Sequence, residues 1–280
     1  MRSANLFCAM LMFASLPLAV VGSEAKPAAS TLTAAQIVEK NVAARGGQAA
    51  WRAVQTLEMK GTMEAGGNRR STLPVPGATK GMIKGVNAVP PRPKEQAQLP
   101  FFMDLQRGRK MRVELEFKGQ TAVQVYDGSN GWKLRPFLNR HEVEPFTQEE
   151  LQAASTQSDL DGLLIDYAAK GSKVELEGVD KVEGRSAYNL KVTDKNGNAR
   201  HVWVDAETFL ETKMEGTPRR LDGKYHPVAI YFRDYRSVNG IVMPFLIETA
   251  VEGVRDTEKI MIDSIISNPK LDQARFSKPN

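Results

Sequence analysis

The sequence is poor in the residues that build cross-links, metal sites and covalent catalysts. Its one cysteine, Cys8, lies inside the apolar stretch near the amino terminus, and removal of that stretch would leave none. This excludes disulfides, thiolate metal sites and a cysteine nucleophile from the rest of the chain. The three histidines, His141, His201 and His226, are scattered without metal-ligand spacing. We therefore interpret them as strand or surface residues and expect neither a metal nor a cofactor.

Motifs that carry catalysis are missing as well. The sequence has no G-x-S-x-G elbow, no phosphate-cradling glycine loop and no H-E-x-x-H motif. Residues 127–131 (DGSNG) form a turn rather than a calcium loop, because the later acidic ligands are absent. Most carboxylates fall on the polar phase of predicted strands, where they would stay hydrated. The sequence predicts a protein that is not an enzyme, with a hydrolase acting through two carboxylates as an alternative.

Only one long hydrophobic run is present. Residues 6–21 are uncharged and apolar, and Ser23 and Ala25 provide the small residues of a cleavage site. The run is shorter than the roughly 20 residues that cross a hydrocarbon core, and it contains Pro17. We predict a signal peptide over residues 1–25, cleaved near Ala25, and a periplasmic protein; a membrane anchor is the alternative. Cys8 lies too early in the run for a lipoprotein cysteine.

The distribution of charge along the chain indicates that nucleic acid is not a partner. The formal net charge is +5, and the basic residues are spread along the chain rather than gathered on one helix. A mild excess of Lys and Arg suits an anionic membrane surface, but on charge alone we favour an ordinary solvated exterior.

Hydrophobic spacing changes from helical to strand-like after the first quarter of the chain. Thr33 is a helix N-cap before Ile37, Val38 and Val42, and a second helical piece covers residues 48–54. Residues 110–117 (KMRVELEF) then alternate without a fault, as in an antiparallel sheet with one dry face. Further strands are predicted at 56–64, 121–126, 131–135, 173–182, 187–193, 199–205, 209–215, 228–235, 241–251 and 256–266.

Tight turns join these strands. The pairs Asp127-Gly128, Asn196-Gly197 and Asn239-Gly240 suit hairpin turns that need positive φ. Many consecutive strands joined in this way predict a mostly β chain with helices (α+β), an incomplete, curved antiparallel β-barrel. We expect residues 26–280 to form a single domain.

Two stretches interrupt the strands. Residues 66–100 are rich in glycine and proline and predict a long mobile loop inserted in the domain. Residues 147–154 open with a capping signature, and residues 158–169 place four side chains on one helical stripe. These are Leu160, Leu163, Leu164 and Tyr167. We therefore predict a helical lid over residues 147–169, which with the N-terminal helix covers the sheet.

Four segments carry a resemblance to a known family. Residues 125–136 (VYDGSNGWKLRP) are similar to a V-x-D-G-x-x-x-W segment that leads to a proline. Residues 104–112 resemble the strand–basic turn–strand hairpin upstream of it, residues 235–245 a later strand pair, and residues 272–279 a closing D-x-x-x-F-x-x-P. On these segments the chain resembles the LolA/LolB-like carrier and sorting proteins for outer-membrane lipoproteins.

The resemblance implies a function. It implies a monomeric, non-catalytic periplasmic carrier that holds lipid or lipoprotein acyl chains in an apolar cavity and meets membrane-bound donor and acceptor proteins. In the family a basic side chain of the first hairpin helps to close the lid, and Arg107 and Arg109 are the nearest matches here. The insertion at 66–100 departs from the compact carriers, so a lipid-sensing regulatory domain that acts through a protein partner is the alternative.

The apolar phases of the strands supply the candidate cavity wall. Such stripes either fill a core or line a cavity, and the residues alone leave both open. With the resemblance, we predict that the lid stripe faces these wall residues: Met103, Leu105, Met111, Val113, Leu115, Val123, Val125, Trp132 and Leu134.

Overall fold

Two short helices open the part of the chain that the structure describes. The structure is a computed structural model, and it describes residues 32–66, 96–136, 139–221 and 223–279. The predicted signal peptide lies outside these residues. Helix α1 (Ala34–Ala44) begins at the expected N-cap Thr33, which forms a capping box in which Thr33 and Gln36 each accept the other's backbone N–H. Helix α2 (Gln48–Ala53) follows after a two-glycine turn.

The turn between these helices packs directly on the sheet. A Cβ atom on Gly46 would lie 2.1 Å from the carbonyl oxygen of Gly240, so only glycine permits this approach. The backbone N–H of Val242 donates to the carbonyl of Arg45 at 2.9 Å in the same place. The two helices are therefore anchored to the sheet at this hairpin.

Fifteen strands make up most of the described residues. The strands that precede the third helix are β1 (Thr56–Gly66), β2 (Gln96–Gln106), β3 (Lys110–Phe117), β4 (Gln120–Tyr126), β5 (Gly131–Arg135) and β6 (Arg140–Pro145). Helix α3 (Gln148–Gln157) comes next. The strands that follow it are β7 (Lys173–Val182), β8 (Arg185–Thr193), β9 (Ala199–Asp205), β10 (Glu211–Glu215), β11 (Arg219–Leu221), β12 (Lys224–His226), β13 (Val228–Val238), β14 (Ile241–Val251) and β15 (Glu258–Ser267).

Thirteen of the strands form one antiparallel sheet, and β11 and β12 form a separate hairpin. The chain starts in the middle of the sheet at β1 and steps outward to β6. It then crosses to the opposite edge at β7 and steps back until β15 pairs with β1. The edge strands β6 and β7 do not pair with each other within the described residues, so the sheet curves without closing. This confirms the predicted fold class.

The hairpin signals in the sequence are confirmed. Asn239 and Gly240 both have positive φ, 49° and 88°, and they connect β13 to β14 directly. Gly128 and Gly197 also adopt positive φ at the predicted turns. These turns fix the register of their strands, and with it which side chains share a face.

The boundaries of the predicted inserted loop are wrong at its ends. Gly66 is the last residue of β1, and residues 96–100 are the start of β2 rather than loop. Pro100 is tolerated there because β3 pairs with β2 only from Phe101 onward, which leaves β2 with a partner on one side. Residues 67–95, the rest of the predicted loop, lie outside the described residues.

The predicted lid is helical only in its first half. Helix α3 has the expected capping box between Thr147 and Glu150, but residues 158–171 form consecutive turns, so the prediction of helix over 158–169 is wrong. Gly162 and Asp166 have φ of 75° and 54°, which an α-helix does not accommodate. Residues 148–171 are called the lid below.

Candidate functional site

The lid and the first two helices cover one face of the sheet, which we call the inner face. Trp51 from α2 and Ile165 from the lid are fully buried there, in contact with a cluster that includes Leu105 and Met111. Leu160, also from the lid, is 7 % exposed in the same cluster. The described side chains of the protein therefore fill this part of the inner face themselves.

The strand register divides the nine predicted wall residues between two faces. Met111 lies opposite Tyr126 in the β3–β4 pair, so Val125, the neighbour of Tyr126, belongs to the other face. The inner face carries Met103, Leu105, Met111, Val113 and Leu115. The opposite, outer face carries Val123, Val125, Trp132 and Leu134. The prediction that all nine form one wall is wrong.

A segment near the carboxyl terminus covers the outer-face group. The 3-10 helix Gln273–Phe276 packs on β3 and β4, with Phe276 only 2 % exposed. Arg275 Nε donates to Asp104 Oδ2 at 2.6 Å. Burial raises the pKa of Asp104, and the contact with Arg275 opposes this shift only in part. The outer-face residues thus belong to a second packed layer.

The four predicted lid residues go to three places. Leu160 joins the inner-face cluster. Leu164, which is fully buried, and Tyr167 border a cavity of about 560 Å³ between the lid and helices α1 and α2. Leu163 borders a larger cavity of about 760 Å³ on the other side of the lid. The prediction that one helical stripe faces the sheet is wrong, because the turns aim these side chains in different directions.

Arg107 joins the first hairpin to the lid. Its guanidinium makes a bidentate pair with the buried carboxylate of Asp161, at 2.8 and 3.0 Å. It also donates to the carbonyl oxygens of Trp51 at 2.8 Å and Val54 at 2.9 Å. The hydrogen bond and charge of Asp161 raise the pKa of Arg107 against the effect of burial. Arg107 thus ties β2–β3, α2 and the lid at one point.

Further polar contacts fasten the rim of the lid. Lys133 Nζ binds Glu150 at 2.5 Å near the start of α3, and Arg109 Nη1 donates to Ser155 Oγ at 3.1 Å. At the far end, Arg52 pairs with Asp166 at 2.7 Å. The lid is apolar towards the inner face and polar along its edges.

One buried arginine in this network was missed by the sequence analysis. Arg45 Nη1 lies 3.2 Å from Glu211 Oε1 and 3.3 Å from the carbonyl oxygen of Asp161, and Arg45 Cζ lies 4.3 Å from the centre of the Trp51 ring. Its partners lie more than 100 positions away along the chain, so no local spacing signals them. A second network residue, Asp161, was missed for the same reason.

Part of the inner face is apolar but only half-covered. Met103 and Val113 are partly buried at the margin of the cluster, as are Ile247 and Ile260 from β14 and β15. Leu115 continues this surface along β3 and is also partly buried. An apolar chain could lie against these residues if the lid moved aside.

Two negative observations apply to the described residues. Among them, no group of three or more His, Cys, Asp or Glu side chains is arranged to hold a metal ion. None of the helices in these same ranges has the length and apolar character needed to span a membrane.

Comparison with known proteins identifies the architecture. No family model and no curated protein sequence matches this chain. A LolA superfamily protein from Nitrosomonas europaea superposes with a TM-score of 0.52 at 12 % identity, over 89 % of this chain and 99 % of that one. The fold of this chain is LolA-like.

Two further solved structures have the same LolA-like sheet. A DUF1329 family protein from Desulfovibrio piger matches with a TM-score of 0.53 at 13 % identity, over 88 % of this chain and 98 % of that chain. An outer membrane lipoprotein-sorting protein domain from Vibrio parahaemolyticus matches with a TM-score of 0.52 at 12 % identity, over 86 % and 95 %. The likeness extends over nearly the whole length of each relative and is one of fold.

Proposed function

We propose that the protein is a non-catalytic periplasmic carrier that binds lipid or lipoprotein acyl chains reversibly, of the kind that sorts outer-membrane lipoproteins. The observation that carries the proposal is the lid: it covers apolar residues of a LolA-like sheet but is fastened to its surroundings by polar contacts at its rim. A cover built in this way can lift and expose an apolar surface without breaking the sheet.

The energetics are consistent with reversible binding. An acyl chain of about 16 methylenes would contribute roughly 13 kcal/mol on transfer from water, at about 0.8 kcal/mol for each methylene. Association costs of several kcal/mol reduce this value, and lifting the lid reduces it further. What remains is an affinity from which cargo can be released to an acceptor.

Each site residue has a role in this proposal. The inner-face residues Met103, Leu105, Met111, Val113 and Leu115 provide the contact surface for the chain. Leu160, Leu163, Leu164 and Tyr167 are the lid side chains that would repack when cargo enters. Arg107 holds the lid closed, with Arg109 in support. The outer-face group takes no part. The alternatives of a lipid-sensing domain and of a hydrolase stay predictions.

Cargo that remains bound during purification provides the first test. The protein purified from its native envelope is analysed by native mass spectrometry, and bound material is extracted with organic solvent. We expect extracted lipid, and saturable binding of a fluorescent fatty acid by the emptied protein. Absence of both would refute the proposal.

A matched pair of substitutions then tests the assignment of faces. Leu115→Asp places a charge on the inner face, and Leu134→Asp places the same charge on the outer face at a residue that is also partly buried. We expect only Leu115→Asp to weaken fatty-acid binding, by about tenfold or more, because a charge in the contact surface must be desolvated. Equal effects of both variants would contradict the assignment.

A further inference from the structure

The larger cavity is bordered by more basic than acidic side chains. It has a volume of about 760 Å³, within the range of roughly 300–1,000 Å³ that is typical of small-molecule sites. It lies between the lid and the β8–β9 hairpin. Four cations and two carboxylates border it: Arg109, Lys170, Lys195 and Arg200, and Asp159 and Asp194.

The two carboxylates are already engaged. Both carboxylate oxygens of Asp159 accept a hydrogen bond from Lys170 Nζ at 2.9 Å, so these two residues form an ion pair within the lid. Asp194 accepts the backbone N–H groups of Asn196 and Asn198 at 2.8 and 2.9 Å, and so holds its own turn. Three cations of the cavity therefore remain without an ion pair to the residues that the structure describes.

Arg200 is the most buried of these three. It lies on the inner phase of β9, two positions before the buried Val202, and is itself partly buried. Within the described ranges, its guanidinium donates to one neutral group, Thr217 Oγ1, at 3.3 Å. Burial lowers its pKa, and the charges of Asp194 and Glu215 oppose the shift without cancelling it. A partly buried guanidinium with most of its donors unused can bind an oxyanion through charge-assisted hydrogen bonds.

Arg109 faces the same cavity from the first hairpin. It is exposed, and its contact in the described part of the chain is the neutral hydroxyl of Ser155, 3.1 Å away. Lys195 lies in the β8–β9 turn, close to the end of the lid. A Cβ atom added to Gly171 of the lid would lie 3.3 Å from the Cβ of Lys195. Positive charge thus reaches the cavity from two hairpins: the β2–β3 hairpin carries Arg109, and the β8–β9 hairpin carries Lys195 and Arg200.

The uncharged walls of the cavity are mostly polar, but a few apolar residues border it on the side that leads towards the inner face. Leu151, Leu163 and Val192 border the cavity, and Leu151 also packs against the inner-face cluster. A ligand in this place would have an anionic end among Arg109, Lys195 and Arg200, and an apolar end that continues past Leu151 beneath α3. This is the arrangement that an anionic amphiphile requires.

We propose that this cavity binds the phosphate-bearing head group of an anionic lipid, whose acyl chains lie on the inner face. The inference rests on the proposed carrier function and adds a substrate class to it: lipids with an anionic phosphate, in preference to neutral lipids with the same chains. A free phosphate ester carries the same chemistry, so the test includes one.

Isothermal titration calorimetry with three probes separates these possibilities. The probes are dioctanoyl phosphatidylglycerol, dioctanoylglycerol and glycerol 1-phosphate, each added to delipidated full-length protein below its aggregation concentration. The proteins are the unmodified chain, Arg200→Gln, Arg200→Lys and Arg109→Gln. Arg255→Gln, at an exposed arginine of the β14–β15 turn that does not border the cavity, is the matched control. Circular dichroism and thermal unfolding confirm that each variant is folded.

We expect the unmodified protein to bind phosphatidylglycerol at least about tenfold more tightly than dioctanoylglycerol. One charge-assisted hydrogen bond to the phosphate suffices for a difference in affinity of this size. Arg200→Gln should remove most of this preference and leave dioctanoylglycerol binding within about twofold, and Arg109→Gln should also reduce the preference. Arg200→Lys should keep part of it, because a lysine retains the charge without the bidentate fork. Arg255→Gln should change neither affinity.

The remaining outcomes separate this inference from the carrier function. Equal affinity for both lipids, unaffected by either Gln variant, would overturn the head-group site while the carrier function stands. Binding of glycerol 1-phosphate that depends on Arg200, without binding of either lipid, would refute the carrier function and leave a phosphate-ester site. If none of the three probes binds, both proposals are wrong.

Discussion

Removal of Arg107 is the perturbation that most directly loosens the lid. Arg107→Ala deletes two hydrogen bonds to the Asp161 carboxylate and one each to the carbonyl oxygens of Trp51 and Val54. It leaves Asp161, whose side chain is 7 % exposed, with Lys170 Nζ as a partner 4.0 Å away. The lid should therefore open more often in the variant than in the unmodified protein.

The size of the effect follows from these contacts. Hydrogen bonds to charged groups contribute about 1.5–3 kcal/mol, and loss of a partner leaves a buried carboxylate unsatisfied. The Arg107 side chain is 33 % exposed, so water screens part of the pair. We expect lid opening to become about 2 kcal/mol easier, which corresponds to roughly 30-fold more opening.

Amide hydrogen exchange measured by mass spectrometry can detect this change. In Arg107→Ala, peptides from residues 158–171 should exchange about 30-fold faster under conditions where exchange follows the opening equilibrium. Peptides from β13 and β14 should change far less. Arg109→Ala is the comparison variant and should have a much smaller effect, because Arg109 is more exposed and makes one hydrogen bond to a neutral serine. An unchanged exchange rate in 158–171, or a uniform increase over the sheet, would refute the assignment of Arg107 as the lid fastener.

Two further predictions concern the pH response and the packing of the fold. Partial burial disfavours the charged form of His201, but its contacts with Glu215 at 2.8 Å and Glu177 at 2.9 Å outweigh this and raise its pKa. A raised pKa adds stability that is present below about pH 6.5 and is lost as the pH rises through the folded-state pKa. The thermal unfolding temperature of His201→Gln should therefore differ from that of the unmodified protein most near pH 5.5 and least above pH 8. A difference that does not depend on pH would contradict this. Gly46→Ala should lower the free energy of unfolding in urea by about 3 kcal/mol or more, because the new Cβ would lie 2.1 Å from the Gly240 carbonyl oxygen. Gly47 also has positive φ but has open space around it, so Gly47→Ala should lower the free energy of unfolding by only about 1 kcal/mol. Equal losses would show that backbone strain alone accounts for both.

Local signals in the sequence predicted the sheet well. The faultless alternation of residues 110–117 fixes which side chains of β3 face the helices, and the structure places Met111 and Val113 there. Turn pairs such as Asn239-Gly240 encode their own backbone conformation, so hairpins can be located without knowledge of the rest of the fold. The N-cap residue Thr33 and the capping signature at Thr147 predicted two helix starts for the same reason.

The site was harder to predict, because its geometry depends on register and on distant contacts. In β4, apolar residues occupy adjacent positions, Val123 beside Ala122 and Val125 beside Tyr126, so alternation alone cannot assign a face. Pairing with β3 decides it, and that information lies in a neighbouring strand.

The second half of the lid illustrates a different limit. Its leucine spacing matches a helix, yet tertiary contacts stabilise turns instead: Lys170 Nζ donates to the carbonyl oxygen of Gly162 at 2.6 Å, and Arg52 holds Asp166. Helical spacing of apolar residues predicts a helix only weakly, because tertiary contacts such as these can override it. Lys195 and Arg200 are close in the sequence, but Arg109 comes from a distant hairpin, so spacing in the sequence could not reveal that the three cations border one cavity.

Fluorescence quenching of a single tryptophan tests the central claim most directly. The chain has three tryptophans: Trp51 lies in the inner-face cluster beneath the lid, whereas Trp132 and Trp203 lie on the outer face. One variant keeps Trp51 alone, with phenylalanine at the other two positions, and a second variant keeps Trp203 alone. Each is titrated with a lipid that carries bromine on its acyl chain, since bromine quenches only at short range. We predict saturable quenching of Trp51 with Trp203 unaffected; a bound lipid that leaves Trp51 unquenched, or that quenches Trp203 instead, would contradict the account.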